Sequence, residues 1–262
     1  MEYIRLGKTN LVVSRVAVNT ENLMNAVQSG AISGAEFADI IKCAYEGGIN
    51  FFNICLPVNA PFIYADLNAL LCEVRSSIRL SFLSKAKTGF ELEREVQNAL
   101  ECFQIDSFDL YKIQDPGFIP VPNGEDGLYD ALEKLRQSGK ILHTGFVSDN
   151  LNRIKDIVFS DFYEAVLFPF NFLSEDVYMQ CADICMENGL VFLADKPLAA
   201  GKIKNIPLAV GFFRRSEHAL PLWKIKDKEE LQQILYFEKN PPAIDEQFFK
   251  DLAEEKERLS LT

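Results

Sequence analysis

The sequence has only two histidines, one tryptophan and no long uninterrupted apolar run, and these shortages exclude several classes of function. Without about 20 consecutive apolar residues, no segment is expected to span a membrane. The two histidines are far apart and the six cysteines are scattered, so no group has the spacing of a metal site and no metal is predicted. The N-terminus lacks a basic segment followed by an apolar one, which predicts a cytoplasmic protein.

Positive charge is also scarce. The chain has 27 lysines and arginines against 38 acidic residues, and its formal net charge is −11. Binding to nucleic acid or to an anionic membrane depends on an excess of basic side chains, so neither is an expected partner. The composition leaves a nucleotide, a small metabolite or another protein as the expected partner.

Short apolar segments alternate with amphipathic helical segments along almost the whole chain. Eight segments rich in β-branched and aromatic residues are predicted as strands: residues 13–18, 49–54, 80–85, 108–113, 141–147, 165–170, 190–196 and 219–225. They are apolar on both faces, which is typical of parallel strands that are covered by helices.

The helical segments lie between these strands and after the last one. Nine helices are predicted: residues 35–46, 63–75, 92–103, 127–137, 151–159, 175–188, 207–215, 228–237 and 245–259, the first capped by Ser33. Eight strand-helix units favour an α/β fold, a (β/α)8 TIM barrel formed as a single domain by residues 1–262. The alternative, an open doubly wound sheet, would usually have a glycine-rich turn after its first strand, and this sequence has none there.

In a TIM barrel the functional residues follow the carboxyl ends of the strands. The polar residues at those ends include Asn53, Lys85, Gln114, Asp115, Ser148, Asn171, Asp195 and Lys224. His143 falls near the amino end of its strand and His218 precedes the eighth strand, so both are expected to have structural roles.

Several segments of the chain, in order, resemble the aldo-keto reductases. The first is "YIRLGKTNLVVSR" at residues 3–15, which is similar to the N-terminal segment of that family. It is followed by "GGINFF" at 47–52, "DSFDLYKIQDP" at 106–116, "LEKLRQSGKILHTGF" at 132–146, "PFN" at 169–171 and "DKPLAAGK" at 195–202. The resemblance implies a TIM barrel of aldo-keto reductase type whose floor is closed by an N-terminal β-hairpin.

The resemblance also implies a set of catalytic positions, most of which are substituted here. The family transfers hydride from NADPH to a carbonyl while a tyrosine donates the proton, and an aspartate, a lysine and a histidine assist. By position the lysine falls on Lys85, but the aspartate falls on Asn53, the tyrosine on Val58 and the histidine on Gln114. Valine has no proton to donate, and neither amide titrates. The substitutions imply a pseudoenzyme, a non-catalytic relative with a binding or regulatory function.

The cofactor positions are partly retained. The resemblance places Ser148 and Asn171 beside the nicotinamide of NADPH, and Lys224 and Lys226 beside a phosphate. The segment between residues 202 and 207 is short where relatives have a covering loop, which implies a truncated member. Because a Lys-x-Lys-x-Lys run is equally typical of a solvated surface, NADPH binding stays open.

Three further hypotheses remain. In the first, the chain is an NADPH-dependent oxidoreductase with an altered site, in which Lys85, Gln114 and either Cys55 or a water polarise the carbonyl. In the second, Tyr64 replaces the missing acid, although its spacing to nearby leucines fits a helix core better. In the third, Lys85 forms a Schiff base in a lyase or an isomerase.

Overall fold

In the computed structural model, which describes residues 1–54, 65–174, 176–216 and 218–260, eight parallel strands form a closed barrel. The strands follow one another around the barrel in chain order, and the last pairs with the first. A separate antiparallel hairpin precedes them. The TIM-barrel fold and the N-terminal hairpin predicted from the sequence are both confirmed.

The strand bounds lie within two residues of the predicted ones except at the first strand. The hairpin consists of β1 (Tyr3–Arg5) and β2 (Val12–Ser14), and the barrel of β3 (Ala17–Asn19), β4 (Phe51–Ile54), β5 (Arg79–Ser84), β6 (Phe108–Gln114), β7 (Ile141–Val147), β8 (Ala165–Pro169), β9 (Val191–Asp195) and β10 (Ala219–Trp223). The single strand predicted at 13–18 is wrong, because the chain turns after Ser14 and divides the apolar run between hairpin and barrel.

The described residues form ten α-helices: α1 (Glu21–Gln28), α2 (Gly34–Glu46), α3 (Ala65–Val74), α4 (Gly89–Phe103), α5 (Leu128–Gln137), α6 (Leu151–Val158), α7 (Asp176–Glu187), α8 (Ile206–Arg215), α9 (Lys228–Lys239) and α10 (Glu246–Ser260). Helix α1 was not predicted from the sequence. The predicted cap of α2 is present: Ser33 Oγ accepts from the Glu36 N–H (3.1 Å), and the Glu36 carboxylate accepts from the Ser33 N–H (2.7 Å). The predicted start of the helix at 63–75 lies outside the described residues.

The barrel interior is filled by side chains from alternate positions along the strands. Phe51, Leu110 and Leu220 point inward and pack in one cluster with Leu6 and Val13 from the hairpin segment. The opposite faces of the strands pack against the helices in a larger apolar core. Because the hairpin closes the amino end of the barrel, the carboxyl ends of the strands form its open mouth.

Both histidines lie away from that mouth. His143, near the start of β7, contacts Glu164 (Nδ1 to Oε1, 2.8 Å), and His218, just before β10, contacts Asp183 (Nδ1 to Oδ1, 2.8 Å). These positions agree with the structural roles that the sequence analysis expected for the two histidines.

The contact between His143 and Glu164 predicts a change of stability with pH. Burial raises the pKa of Glu164, but hydrogen bonds from His143 and the Thr144 N–H outweigh it and lower the pKa below its usual value. A carboxyl whose pKa is lower in the folded state stabilises the protein above its unfolded pKa, near 4.3, and loses that contribution as the pH falls through the folded value.

Wild type should therefore lose more of its unfolding free energy than Glu164→Gln as the pH falls from 6 to 3. Urea unfolding at each pH would measure the difference, with Glu187→Gln, at an exposed position near the end of α7, as the control. Parallel pH curves for wild type and Glu164→Gln would contradict the prediction.

Candidate functional site

A cavity of about 250 Å³, which we call the mouth cavity, opens at the carboxyl ends of the barrel strands. Every barrel strand contributes to it, either directly or through the loop that follows. Its lining residues are Asn19, Glu21, Asn53, Leu83, Lys85, Gln114, Asp115, Val147, Ser148, Asp149, Leu167, Pro169, Asp195, Lys196 and Lys224. The site therefore lies where the fold predicts a functional site.

Five of the predicted site residues meet at this cavity. Asn53, Lys85 and Gln114, from three neighbouring strands, line it together with Ser148 and Lys224. Asn53 is only 2% exposed at the end of β4, whereas Lys85 and Gln114 are exposed at the rim. The structure brings these side chains together, and their roles in catalysis or cofactor binding stay predictions.

Three residues singled out in the sequence, Cys55, Val58 and Tyr64, lie outside the described residues. Among the described residues that line the mouth cavity there is no tyrosine or histidine. Tyr111 of β6 belongs to the core between barrel and helices, where its hydroxyl donates to Glu95 (2.7 Å). Burial and the nearby carboxylate raise the pKa of Tyr111 well above its usual value, so this phenol stays protonated.

A lysine that the sequence analysis missed lies inside the barrel. Lys112 of β6 is fully buried; its Nζ donates to Asn53 Oδ1 (2.8 Å) and also to Ser81 Oγ. Lysine is almost never fully buried without hydrogen-bonding partners, so these contacts are needed to hold it there. We call Asn53, Ser81 and Lys112 the interior lysine cluster.

A glycine makes room for this lysine. Gly145 pairs directly with Lys112 in the ladder between β6 and β7, and a Cβ at Gly145 would lie 2.9 Å from Lys112 Cγ. That approach is closer than van der Waals contact allows. The glycine in β7 is therefore part of the arrangement that places Lys112 in the interior.

The hydroxyl of Ser148 is held by hydrogen bonds within the protein. Its Oγ donates to Asp115 Oδ2 (2.7 Å) and accepts from the Asn150 N–H (3.1 Å). Asp115 also accepts from the Gly117 N–H (2.8 Å), the local bond of an aspartate that begins a turn. Because the Ser148 proton is directed at Asp115, a ligand would meet this hydroxyl as an acceptor.

Asn171 lies beside the mouth and stabilises a strained loop. Its Nδ2 donates to the backbone oxygen of Lys196 (3.1 Å), and Asn171 itself does not line the mouth cavity. In the loop after β9, Lys196, Ala199 and Ala200 have φ values of 53°, 48° and 55°, the left-handed region that non-glycine residues seldom adopt. Strain of this kind is concentrated at ligand-binding sites.

A second cavity of about 460 Å³, which we call the α9 groove, adjoins the mouth cavity. It lies between the loop after β9 and the start of α9. Lys196 and Lys224 line both cavities, and Lys226 lines the α9 groove alone. Lys228 points elsewhere and pairs with Asp39 (2.6 Å).

Carboxylates already occupy the start of α9. Asp227 accepts from the Glu230 N–H (2.8 Å), and the Glu230 carboxylate accepts from the Lys226 N–H (2.8 Å). Lys224 also forms an ion pair with Glu21 (2.6 Å). An anionic ligand in this groove would therefore contact lysine side chains while competing with the protein's own carboxylates.

The residues that the structure describes contain neither a metal-binding group nor a membrane-spanning helix. No group of three or more histidine, cysteine, aspartate or glutamate side chains could hold a metal ion in those ranges. No described helix combines the length and the apolar composition that a membrane span requires.

A closed parallel barrel with a hairpin at its floor and a polar mouth places this chain among the (β/α)8 barrel proteins. The sequence model of the aldo/keto reductase family matches residues 78–234, more than half of the chain. The chain therefore belongs to the aldo/keto reductase family. A comparison with curated protein sequences finds no match.

Solved structures of the same family share the fold. Aldo-keto reductase AKR11C1 from Bacillus halodurans, in its holo form, superposes with a TM-score of 0.78 at 16% identity, covering 99% of this chain and 96% of that one. Two structures of putative aldo-keto reductases from Pseudomonas aeruginosa give TM-scores of 0.73 and 0.74 at 15% and 16% identity. Both alignments cover 89% of this chain, and they cover 92% of the first structure and 93% of the second. At these identities the likeness concerns the fold.

Proposed function

We propose that this chain binds a dinucleotide across the mouth cavity and the α9 groove and does not carry out the carbonyl reduction typical of its family. The observation that carries the proposal is that the two cavities adjoin, with Lys196 and Lys224 lining both. An elongated ligand could place one end in each cavity. The volumes, about 250 and 460 Å³, lie close to or within the range of small-molecule sites.

The charges at the junction suit the centre of a dinucleotide. A pyrophosphate there would lie between Lys196 and Lys224, and the ammonium groups would offset its charge. Asn171 supports this position, because it holds the backbone of Lys196 in its strained conformation. NADPH is the family's usual cofactor and NADH the matched comparison that lacks the additional phosphate.

The absence of reduction rests on the groups that the mouth cavity presents. By the resemblance, Asn53 stands where relatives have an aspartate, and Gln114 stands where they have a histidine. Val58 stands where they have the tyrosine. Among the described lining residues, no phenol or imidazole stands in for them. At those three positions a bound carbonyl would receive hydrogen bonds from the two amides but no proton.

A second candidate function is an NADPH-dependent oxidoreductase with an altered site. The exposed side chains of Lys85 and Gln114 at the rim favour it, because both could polarise a carbonyl in the mouth cavity. Cys55 or a water would add to this polarisation, as the sequence analysis proposes. A cytoplasmic location and a protein partner also stay predictions.

Calorimetric titration with NADPH, NADH and AMP tests dinucleotide binding. Lys224→Met should weaken NADPH and NADH binding about tenfold or more, because a charge-assisted hydrogen bond to phosphate is lost. Lys228→Met is the matched control: this lysine is near in sequence but pairs with Asp39, so affinity should not change.

The dependence of affinity on salt concentration is a further check. Binding through phosphate and lysine should weaken as ionic strength rises, and the affinity of Lys224→Met should fall less steeply than that of wild type. If wild type binds neither dinucleotide at near-millimolar concentration, the proposed function is wrong. Equal losses in Lys224→Met and Lys228→Met would place the ligand outside the α9 groove.

A further inference from the structure

The mouth cavity contains charged side chains of both signs that have no partner within the part of the chain that the structure describes. One of them is Asp195, the last residue of β9. Val191 and Leu193 of this strand belong to the cluster inside the barrel, and alternate residues of a strand share a face, so Asp195 points inward as well. It is partly buried and lines the cavity. Its backbone oxygen accepts from the Phe170 N–H (2.9 Å), but its carboxylate makes no hydrogen bond or ion pair with any described residue.

A lysine with no such contact lies across the cavity from this carboxylate. Lys85 follows β5 directly and lines the cavity from the rim, where its ammonium makes no hydrogen bond or ion pair within the described residues. β5 and β9 are four places apart in the closed ring of eight strands. Lys85 and Asp195 therefore stand on opposite sides of the mouth, with the cavity between them.

The other charged groups of the cavity do not change this balance. Lys224 is paired with Glu21 (2.6 Å), and the carboxylate of Asp115 is held by the serine hydroxyl described above (2.7 Å). Asp149 and Lys196 are exposed and of opposite sign. A ligand with charge of one sign would match only half of the remaining groups, whereas a ligand that carries both signs would match all of them.

We propose that the mouth cavity binds a small amino carboxylate, a molecule with an ammonium group at one end and a carboxylate group at the other. The ammonium donates to the Asp195 carboxylate, and the ligand carboxylate accepts from the Lys85 ammonium. This proposal goes beyond the proposed function, because it concerns a second ligand that uses the mouth cavity without the α9 groove.

The remaining lining of the cavity suits the middle of such a molecule and its acidic end. Leu83, Val147 and Leu167 contribute apolar surface, against which a short hydrocarbon chain can pack. Gln114 is exposed on β6, the strand next to β5, so its NH2 group can donate to the same carboxylate as Lys85. The volume of about 250 Å³ suits a molecule of a few carbon atoms.

Three probes of the same chain length separate the two ends of the ligand. 4-Aminobutyrate carries both charges at neutral pH, whereas butyrate carries only the carboxylate and butylamine only the ammonium. Each is titrated into the 15N-labelled full-length protein without dinucleotide, and binding is read from the shifts of backbone amide signals. We expect 4-aminobutyrate to bind in a saturable way and about tenfold or more tightly than either singly charged probe, because it makes both charge-assisted contacts.

Two variants should give a crossed pattern of losses. Asp195→Asn should weaken 4-aminobutyrate and butylamine about tenfold or more and leave butyrate unchanged. Lys85→Met should weaken 4-aminobutyrate and butyrate by a similar factor and leave butylamine unchanged. Asp156→Asn and Lys87→Met are the matched controls, because both residues are exposed and neither lines the cavity, so all three probes should bind as in wild type.

Thermal unfolding of each variant shows whether it is folded. If Asp195→Asn does not fold, the comparison of the three probes in wild type and in Lys85→Met still decides. Wild type that binds 4-aminobutyrate no more tightly than butyrate or butylamine would overturn the proposal, as would a folded Asp195→Asn that loses all three probes equally. Failure of NADPH to bind would count only against the proposed function, because these titrations contain no dinucleotide.

Discussion

Purified protein supplied with NADPH and a simple aldehyde should turn over about 10²- to 10⁴-fold more slowly than a reductase with a proton donor, because a positioned general acid contributes a factor of that size. Hydride transfer to a carbonyl leaves an alkoxide that must be protonated. Among the described residues of the mouth cavity, the side chains nearest to such a role are Lys85 and the amides of Asn53 and Gln114. None of these three side chains offers both a proton to transfer and the surroundings that the family's tyrosine has.

The measurement is NADPH oxidation with a panel of aldehydes and quinones, run beside the binding titration so that weak binding is not mistaken for absent chemistry. Lys85→Met separates the two candidate functions. A residual rate that disappears in Lys85→Met would favour the altered oxidoreductase, and turnover at rates normal for the family would rule out the non-catalytic proposal.

Restoring the family's catalytic groups at the substituted positions should give the protein the reductase activity that it is predicted to lack. Val58→Tyr, Asn53→Asp and Gln114→His together supply the family's groups, with the choice of Val58 resting on the sequence resemblance. The carboxylate introduced at position 53 would, however, lie beside Lys112, which already donates to that position. Lys112→Leu in the same background should therefore be required before activity rises by about a hundredfold or more.

The barrel could be predicted from the sequence because each of its units carries a local signal. Apolar runs and amphipathic helices alternate, and parallel strands covered on both faces need no further information to be recognised. The division of residues 13–18 had no such signal. Its turn is fixed by Asn50, whose Oδ1 accepts from the Ser14 N–H (2.7 Å) and whose own N–H donates to Ser14 Oγ (3.1 Å), a contact across 36 positions.

The missed helix α1 shows a different limit. Asn19 at the end of β3 and the Thr-Glu-Asn segment that follows it are polar and typical of a loop, and Thr20 at the N-cap of α1 makes no side-chain capping hydrogen bond. The apolar positions Leu23, Met24 and Val27 do carry a helical spacing, but eight residues are too few for periodicity to decide. The helix forms because the barrel below it buries those three side chains.

The rim of the site was predictable and its interior was not. Residues that follow strand ends must converge at the mouth of a barrel, so Asn53, Lys85 and Gln114 could be grouped without coordinates. Lys112 lies within a strand, and its partners are 31 and 59 positions away. The only local indication in the sequence is that Lys112 alternates with Leu110 and Gln114, because alternate residues of a strand share a face.

Asp109 is a position outside the site where a substitution should cost much of the stability. This carboxylate is 5% exposed at the amino end of β6, where it accepts from the Leu80 N–H (2.8 Å) and pairs with Arg75 (2.9 Å). Asp109→Ala would leave the Leu80 N–H without this acceptor and remove the partner of a guanidinium. A buried N–H left without an acceptor and a lost charge-assisted hydrogen bond each cost about 1–3 kcal/mol, so together they are a large part of a typical unfolding free energy.

Urea unfolding would measure the loss, with Asp106→Ala, at an exposed aspartate three residues earlier, expected to stay within about 0.5 kcal/mol of wild type. Asp109→Asn should fall between them, because an amide can still accept from Leu80 but carries no charge. Since Asp109 lies at the closed end of the barrel, Asp109→Ala should bind dinucleotide normally while folded, whereas Lys224→Met should lose affinity and keep its stability. Equal unfolding free energies for Asp109→Ala and Asp106→Ala would show that the carboxylate does not join β5 to β6 as its contacts indicate.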